Sequence, residues 1–186
     1  MHSNALAQFI QCLEEVVTQS QGNEQQLLGQ VSRDMQNLIA SDDWLPHAFA
    51  QPDSVHYRQY LLHADAADRF SVVSFVWGPG QRTPIHDHGT WGVVGMLRGA
   101  EIATSFTPGE SGSLIAGEEV TLHPGDVAVV SPQVGDIHMV RNAYADRVSI
   151  SIHAYGANIG KQTRHVFDAR SGAPKAFVSG YSSPAA

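Results

Sequence analysis

Residues 77–92 read WGPGQRTPIHDHGTWG, and the pair His86 and His88 is the sharpest chemical signal in the chain. On a β-strand, residues two positions apart point to the same face, so both imidazoles would project side by side. Asp87 would point to the other face and is a poor ligand for the same metal. His138, in GDIHMVRN, begins another predicted strand. Three imidazoles would bind a divalent metal and leave positions open for substrate. The alternative is histidines that are hydrogen-bonded on a sheet face.

The sequence beyond these histidines predicts a mainly β fold. Short runs rich in Val, Ile and aromatic residues are bounded by Gly, Pro, Asp or Asn, which is typical of an antiparallel sandwich or barrel. The runs are 55–64, 69–77, 90–97, 101–107, 118–123, 126–131, 137–142 and 147–155. We expect a β-barrel over residues 54–168 and a loop-like tail over 169–186, in a single domain of residues 1–186.

The N-terminal segment has a different period. Apolar residues recur at helical spacing from residue 4 to residue 40, with a break at Gly22. Asn23 and Gln26, three residues apart, resemble a capping box at the start of a second helix. We therefore expect residues 1–50 to be helical and to pack on the β-barrel.

Length, charge and cysteine content narrow the class of protein. The chain has 186 residues, with 18 Asp and Glu against 11 Lys and Arg, and a formal net charge of −7. An acidic chain without basic runs argues against a nucleic-acid partner. Its one cysteine, Cys12, cannot form an internal disulfide, and no run resembles a signal peptide or a membrane span. We expect a cytoplasmic protein with no membrane partner.

The predicted strand 147–155 carries a second group of chemical side chains. Ser151, His153 and Tyr155 alternate with apolar residues, so all three would lie on one face of the strand. This polar face could simply be in contact with water. Alternatively, the three side chains could form hydrogen bonds in series.

The glycines around the histidines resemble the two cupin motifs. Gly80 precedes His86 by six residues and Gly99 follows His88 by eleven, as in the first motif. The second motif is matched by Gly125, Pro132, Gly135, His138 and Asn142. The resemblance implies a cupin double-stranded β-helix, an antiparallel β-barrel. The glutamate of the first motif is missing near residue 92, so the metal would keep its full charge and favour anionic ligands.

Within the cupins, residues 77–92 and 131–142 resemble cysteine dioxygenase and its bacterial thiol dioxygenase relatives. The resemblance implies that one Fe(II) per chain is bound by His86, His88 and His138. It also implies a reaction that adds both atoms of O2 to a small-molecule thiol and gives a sulfinic acid.

The resemblance also assigns catalytic roles on the strand 147–155. The family has a Ser-His-Tyr relay, matched here by Ser151, His153 and Tyr155, and its tyrosine hydroxyl reaches the metal site. Mammalian members carry a cysteine crosslinked to this tyrosine. The aligned place here is Trp91–Gly92, and the one thiol is that of Cys12. Tyr155 would therefore remain a free phenol.

The choice of substrate depends on the positions of the arginine side chains. In the cysteine-specific branch, an arginine two residues after a tyrosine pairs with the substrate carboxylate. Here Gln59 takes that place after Tyr57, which resembles the bacterial branch that prefers 3-mercaptopropionate. The resemblance then implies that Arg164 binds the carboxylate, through a charge-assisted pair worth roughly 1.5–3 kcal/mol. The alternative for Arg164 is a surface pair with Asp168. Arg58, beside Gln59, is expected to be structural.

Three other functions stay open at this point. The first is a cysteine dioxygenase that acts on L-cysteine. The second is a different metal cupin, such as a Zn, Ni or Mn hydrolase or isomerase, since three histidines also suit a metal-activated water. The third is a ligand-binding cupin without turnover. The sequence does not predict an oligomeric state.

Overall fold

The computed structural model describes residues 4–20, 22–110 and 112–184. These residues form two α-helices, one 3-10 helix at His47–Phe49 and eleven β-strands. The helices are α1 (Asn4–Gln19) and α2 (Glu24–Ile39). The strands are β1 (Arg58–Ala64), β2 (Ser71–Trp77), β3 (Ile85–His86), β4 (Gly92–Arg98), β5 (Glu101–Pro108), β6 (Leu114–Leu122), β7 (Val127–Val130), β8 (His138–Asn142), β9 (Ser149–Tyr155), β10 (Arg164–Phe167) and β11 (Pro174–Phe177). Residues 1–3 of the predicted helical segment, and 185 and 186 of the predicted tail, lie outside the described residues.

The two helices form where the helical period predicts them. The Asn23 side chain accepts a hydrogen bond of 3.1 Å from the Gln26 backbone N–H, which satisfies one of the donors that a helix start leaves free. The buried side chains of the helices are Phe9, Leu13, Leu27, Leu28, Val31, Met35, Leu38 and Ile39. They pack on the outer face of one β-sheet. No helix in the described residues is long and apolar enough to cross a membrane.

The strands form two antiparallel sheets that face each other. The first has the order β1-β2-β9-β4-β7 and the second has the order β11-β10-β3-β8-β5-β6. The predicted cupin architecture, a mainly β fold with N-terminal helices packed on it, is confirmed. The two sheets do not close into one barrel, because in the described residues no hydrogen-bonded strand pair joins them. Side chains that fill the space between them hold the sheets together.

Strand β9 lies at the centre of the first sheet, and all seven of its residues are buried. Its apolar residues Ile150, Ile152 and Ala154 pack under the helices. The alternate residues therefore point between the sheets, where Tyr155 contacts a second apolar cluster. The interpretation of this polar face as merely wet is wrong, because helices and strands cover both sides of the sheet.

The C-terminal tail is not the loop that its sequence suggests. Residues Pro174–Phe177 form β11, which pairs with β10. After β11, the Ser182 backbone N–H donates to the Gln59 carbonyl oxygen over 2.8 Å, and the Ser182 hydroxyl accepts a bond from the Gln59 backbone N–H. The tail therefore crosses from the second sheet to the edge strand of the first, beside the space between the sheets.

Strand β4 lies so close to α2 that a side chain at Gly95 would have no room. A Cβ at Gly95 would stand 2.6 Å from Cγ and 2.8 Å from Sδ of the fully buried Met35. We expect Gly95→Ala to lower the free energy of unfolding by about 1–3 kcal/mol, because overpacking displaces buried side chains. Denaturant unfolding followed by circular dichroism measures the change.

The matched control is Gly29→Ala on α2, where the nearest atom to a new Cβ would be Arg33 Nη1 at 3.8 Å. We expect this variant to be more stable by roughly 0.5–1 kcal/mol, because alanine is the better helix former. Equal stability of Gly95→Ala and wild type would contradict the described packing of α2 on β4.

Candidate active site

Three histidines converge between the two sheets. His86 on β3 lies opposite His138 on β8 in the antiparallel register, and His88 follows β3 by two residues. One ring nitrogen from each histidine lies within 4.8 Å of the other two, and the ring centroids are 4.8–4.9 Å apart. All three side chains are buried. The predicted metal ligands are therefore brought together in a cluster with the size of a single-ion site.

The protonation states of His86 and His138 are suitable for binding a metal ion. Burial, followed by repulsion from the neighbouring histidines, lowers the pKa of His86 to about 3 and the pKa of His138 well below its usual value. His86 Nδ1 lies 3.1 Å from the Pro84 carbonyl oxygen, an acceptor, so this nitrogen carries the proton. Nε2 of His86 is then a free lone pair. Neutral imidazoles with their other nitrogen hydrogen-bonded are the form in which histidine binds metals.

Asp136 orients the third histidine, and the sequence analysis missed this residue. Its Oδ1 lies 2.8 Å from His88 Nδ1 and accepts from the His88 backbone N–H, while Oδ2 accepts from the Gly89 backbone N–H. Burial opposes ionisation of Asp136, but these hydrogen bonds outweigh it and lower the pKa of the carboxyl. The signal available in the sequence was an aspartate two residues before His138. Asp87 lies outside the cluster, as expected, and pairs with His165.

A cavity of about 40 Å³ opens beside the histidine cluster. Its lining residues are Tyr57, Gln59, Phe75, Trp77, Thr83, Pro84, His86, His138, Val140, His153, Tyr155, Arg164 and Phe177. Among the residues that the structure describes, the lining contains one cation and no Asp or Glu. A wider cleft of about 960 Å³ shares Tyr57, Gln59 and Pro84 with this cavity, so ligands would enter from there.

The predicted relay on β9 forms between the sheets. Ser151 Oγ lies 2.8 Å from His153 Nε2, and His153 Nδ1 lies 2.8 Å from the Tyr155 hydroxyl. Burial lowers the pKa of His153 well below its usual value and raises the pKa of Tyr155. The Tyr155 ring also stacks on His88, with ring centroids 5.4 Å apart. The relay therefore ends beside the histidine cluster. Its His153 and Tyr155 side chains are uncharged.

Tyr155 has a free phenol, because no cysteine among the described residues lies beside its ring. Gly92 pairs with Tyr155 across β4 and β9, and a Cβ at Gly92 would stand 2.9 Å from two ring atoms. The ring therefore lies directly against Gly92, one of the two residues aligned with the crosslinking cysteine in the sequence analysis. Cys12 lies on α1, on the helical side of the sheet.

Arg164 is buried on β10 and lines the cavity. Its Nη2 donates to Ser179 Oγ over 2.8 Å, and its guanidinium carbon lies 4.7 Å from the centroid of the Phe177 ring. Its Nε has no hydrogen-bond partner among the described residues. The alternative of a surface pair with Asp168 is wrong, because Arg164 is buried and Asp168 accepts bonds within its own turn.

Gln59 on β1 also lines the cavity, and the tail holds its amide. Its Nε2 donates to Ser179 Oγ over 3.1 Å and to the Gly180 carbonyl oxygen over 3.0 Å. Ser179 thus accepts from both Gln59 and Arg164, and no sequence pattern indicated this serine. Arg58 pairs with Asp53 at 2.5 Å, in agreement with the structural role expected for it.

Glu101 on β5 is a further residue that the sequence analysis missed. Its side chain is fully buried, and burial raises its pKa to about 7, although hydrogen bonding with Ser151 and Trp77 favours the ionised form. The sequence gives one weak signal, a lone acidic residue at the start of a predicted strand.

Comparison with known proteins points to one family. A family model described as "Cysteine dioxygenase type I" matches residues 1–170. Cysteine dioxygenase type 1 from Rattus norvegicus is 27% identical over 127 residues, which cover 67% of this chain and 62% of the rat protein. The protein of the same name from Danio rerio is 28% identical over 149 residues, covering 75% of this chain and 71% of its own length. The match to the rat protein thus spans less than two thirds of that relative.

Solved structures of low sequence similarity also overlap with the chain. A cupin superfamily protein from Desulfitobacterium hafniense DCB-2 has a TM-score of 0.47 and 16% identity, covering 61% of this chain and 89% of that chain.

The pairing of His88 with Asp136 predicts a change in metal affinity. We expect Asp136→Asn to weaken the binding of a divalent metal ion by about 10- to 100-fold, because an outer carboxylate fixes the orientation of a ligand histidine and raises its basicity. Anaerobic competition with a chromogenic chelator measures the affinity. The matched control is Asp87→Asn, since Asp87 holds His165 in the same way outside the cluster. Equal affinities of the two variants would contradict the role of Asp136.

Proposed function

Because this chain belongs to the cysteine dioxygenase type I family, we propose that it is a non-haem iron thiol dioxygenase. The reaction combines a small thiol with one molecule of O2, and both oxygen atoms are bonded to sulfur in the sulfinic acid product. We propose 3-mercaptopropionate as the preferred substrate, ahead of L-cysteine. The observation that carries the proposal is one small cavity that joins the histidine cluster, the tyrosine of the relay and a buried arginine.

The metal ligands in this proposal are His86, His88 and His138. Their donor set fits Fe(II), because the imidazoles are buried and the Nδ1 atoms of His86 and His88 are already hydrogen-bonded. Fe(II) held by three neutral ligands would lower the pKa of a coordinating thiol and activate O2 for addition to sulfur.

Arg164 supplies the binding site for the substrate carboxylate. A buried guanidinium with an unpaired Nε is costly unless an anion joins it. A carboxylate would satisfy this donor and neutralise the charge, in a place where Ser179 and Phe177 already hold the side chain. The distance between thiol and carboxylate would then be matched to the distance between the histidine cluster and Arg164.

The lining of the cavity favours a thiol without an amine. L-cysteine carries an ammonium group, and no Asp or Glu among the described residues lines the cavity to receive it. Burial of an unpaired ammonium is strongly unfavourable. 3-Mercaptopropionate has the same thiol and carboxylate but lacks the amine, so it leaves no charge unpaired beside Arg164.

The other cavity residues exclude water and direct protons. Phe75, Trp77 and Val140 form apolar walls around the reacting groups. The hydroxyl of Tyr155 faces charge that develops on the reacting oxygen atoms, with His153 and Ser151 behind it. We propose that Gln59 contributes to substrate binding by fixing Ser179, which in turn orients Arg164.

The proposed partners are small molecules, namely a carboxylate-bearing thiol and O2. We also propose that the enzyme works in the cytoplasm, where a reducing environment keeps both a free thiol substrate and the single cysteine reduced.

Oxygen uptake by the Fe(II)-loaded protein with a panel of thiols tests this function. We expect kcat/KM for 3-mercaptopropionate to exceed that for L-cysteine by at least about tenfold, because the cavity leaves an ammonium without a partner. The sulfinate formed should equal the O2 consumed. In the same assay, Arg164→Met should lower kcat/KM by about 10- to 100-fold, mainly through KM.

Arg58→Met is the matched control for the arginine, because Arg58 pairs with Asp53 and does not line the cavity. A preference for L-cysteine would support the cysteine dioxygenase alternative instead. Absence of O2 uptake with every thiol would contradict the dioxygenase function altogether.

A further inference from the structure

Glu101 lies at the inner end of the relay. The Glu101 carboxyl group lies beside the side chains of Ser151 and Trp77, and hydrogen bonding with both favours its ionised form. Ser151 Oγ also lies 2.8 Å from His153 Nε2 and accepts a hydrogen bond of 3.1 Å from Trp77 Nε1. The chain of hydrogen bonds therefore begins at Glu101 and ends at the Tyr155 hydroxyl in the substrate cavity.

The carboxyl group of Glu101 is only partly satisfied. The residue is 1% exposed, and its Oε2 has no hydrogen-bond partner among the described residues. Buried acidic groups are normally paired or fully hydrogen-bonded, and an exception calls for a functional reason. Capacity to hold or release a proton is such a reason.

The state of Glu101 decides the direction of every hydrogen bond in the series. When the carboxyl group is ionised, it accepts a hydrogen bond from the Ser151 hydroxyl, so Ser151 Oγ must accept from His153 Nε2–H. His153 is neutral, so its Nδ1 then has no proton and accepts the Tyr155 O–H. The Tyr155 oxygen can now only accept a hydrogen bond from a group in the cavity.

When Glu101 is protonated, all of these hydrogen bonds reverse. The carboxyl O–H donates to Ser151 Oγ, and the Ser151 hydroxyl donates to His153 Nε2. His153 Nδ1–H then donates to the Tyr155 oxygen. The Tyr155 O–H is left free to donate into the cavity.

We propose, on the basis of the dioxygenase function above, that Glu101 is a fourth, positioning member of the relay and that its proton sets Tyr155 as a donor toward the bound substrate. The relay can also transfer a proton to the reacting oxygen atoms and take it back. As negative charge develops on the reacting oxygen atoms, one proton moves at each link, from Tyr155 to the oxygen, from His153 to Tyr155, from Ser151 to His153 and from Glu101 to Ser151. The protons return as the sulfinate forms, so the overall reaction takes none from the protein.

The surroundings of Glu101 suit this exchange. Burial raises its pKa to about 7, so both states are accessible near neutral pH. A second cavity, of about 350 Å³, borders Glu101 and His153, and its lining includes the exposed Val129 and Val134. The proton of Glu101 can therefore equilibrate with solvent without crossing the substrate cavity.

The neighbours of Glu101 contribute few other titratable groups. At the paired positions, β6 and β8 present Leu122 and Asn142, and β2 presents Trp77. The other titratable groups that line the second cavity are His138, His153 and the exposed Glu118. Tyr155 is the remaining titratable group whose pKa responds to Glu101.

The first test measures which nitrogen of His153 carries the proton, and it does not depend on turnover. Long-range proton–nitrogen NMR spectra of the full-length, iron-free chain with nitrogen-15-labelled histidine distinguish Nδ1–H from Nε2–H. In wild type, we expect the proton to move from Nδ1 to Nε2 as the pH rises through about 7. In Glu101→Gln the amide cannot ionise, so the His153 proton should stay on one nitrogen over the whole range.

The second test is kinetic. With Fe(II)-loaded enzyme and 3-mercaptopropionate, Glu101→Gln should lower kcat by about tenfold and change KM by less than about twofold. Glu118→Gln is the matched control, since it removes the same charge at the exposed rim and should leave kcat unchanged. Glu101→Gln should lower kcat no further in a Ser151→Ala background, because Ser151 connects Glu101 to the relay.

These measurements separate the relay from the proposed function. A His153 proton that moves with pH in Glu101→Gln as in wild type, or does not move in wild type, overturns the inference, as does an unchanged kcat. If Glu101→Gln does not fold, Ser151→Ala gives the same NMR test, because the His153 proton should no longer follow Glu101. A wild-type protein that oxidises no thiol contradicts the dioxygenase function, and the NMR result then stands by itself.

Discussion

Three imidazoles share one small space between the sheets, and burial favours the uncharged form of two of them, His86 and His138. His86 and His138 face each other across neighbouring strands, and the opposite sheet closes over them. A proton taken up by either of these two rings would be poorly solvated and repelled by the neighbouring histidines, which is why the pKa values of His86 and His138 fall. The free lone pairs of these two imidazoles are available to a cation at any physiological pH. The remaining parts of the site are arranged around the histidine cluster.

The side chains of β9 lie in two different environments, one under the helices and one between the sheets. Its apolar residues lie under α1 and α2, and its polar residues lie between the sheets. Without the helices, both faces of this strand could not be buried. Helices α1 and α2 thus contribute no residue to the site, yet they allow Ser151, His153 and Tyr155 to form their hydrogen bonds away from water.

Local patterns in the sequence predicted the parts of the molecule that depend on local patterns. Helical spacing predicted α1 and α2, and alternation within residues 147–155 placed the relay residues on one face. Spacing around His86 and His88 resembled a known motif, and the structure brings those residues together with His138. Strands β10 and β11 were not predicted: β10 is formed by pairing with the distant β3, and β11 pairs in turn with β10.

The residues that were missed act across long distances in the chain. Asp136 contacts His88, Glu101 contacts Ser151, and Ser179 contacts Gln59 and Arg164. No periodicity or spacing within one segment encodes such contacts. They arise from the pairing of β3 with β8 within one sheet, from the two sheets facing each other, and from the C-terminal tail crossing between the sheets.

Ser179 lies beyond residue 170, where the match to the family ends, and yet it holds the arginine that faces the cavity. Selectivity among relatives could therefore diverge through changes in a segment that family-wide comparison does not score. The three histidines alone would not distinguish such relatives from one another. Grouping them by the residue that supports the arginine would sort them by chemistry rather than by ancestry.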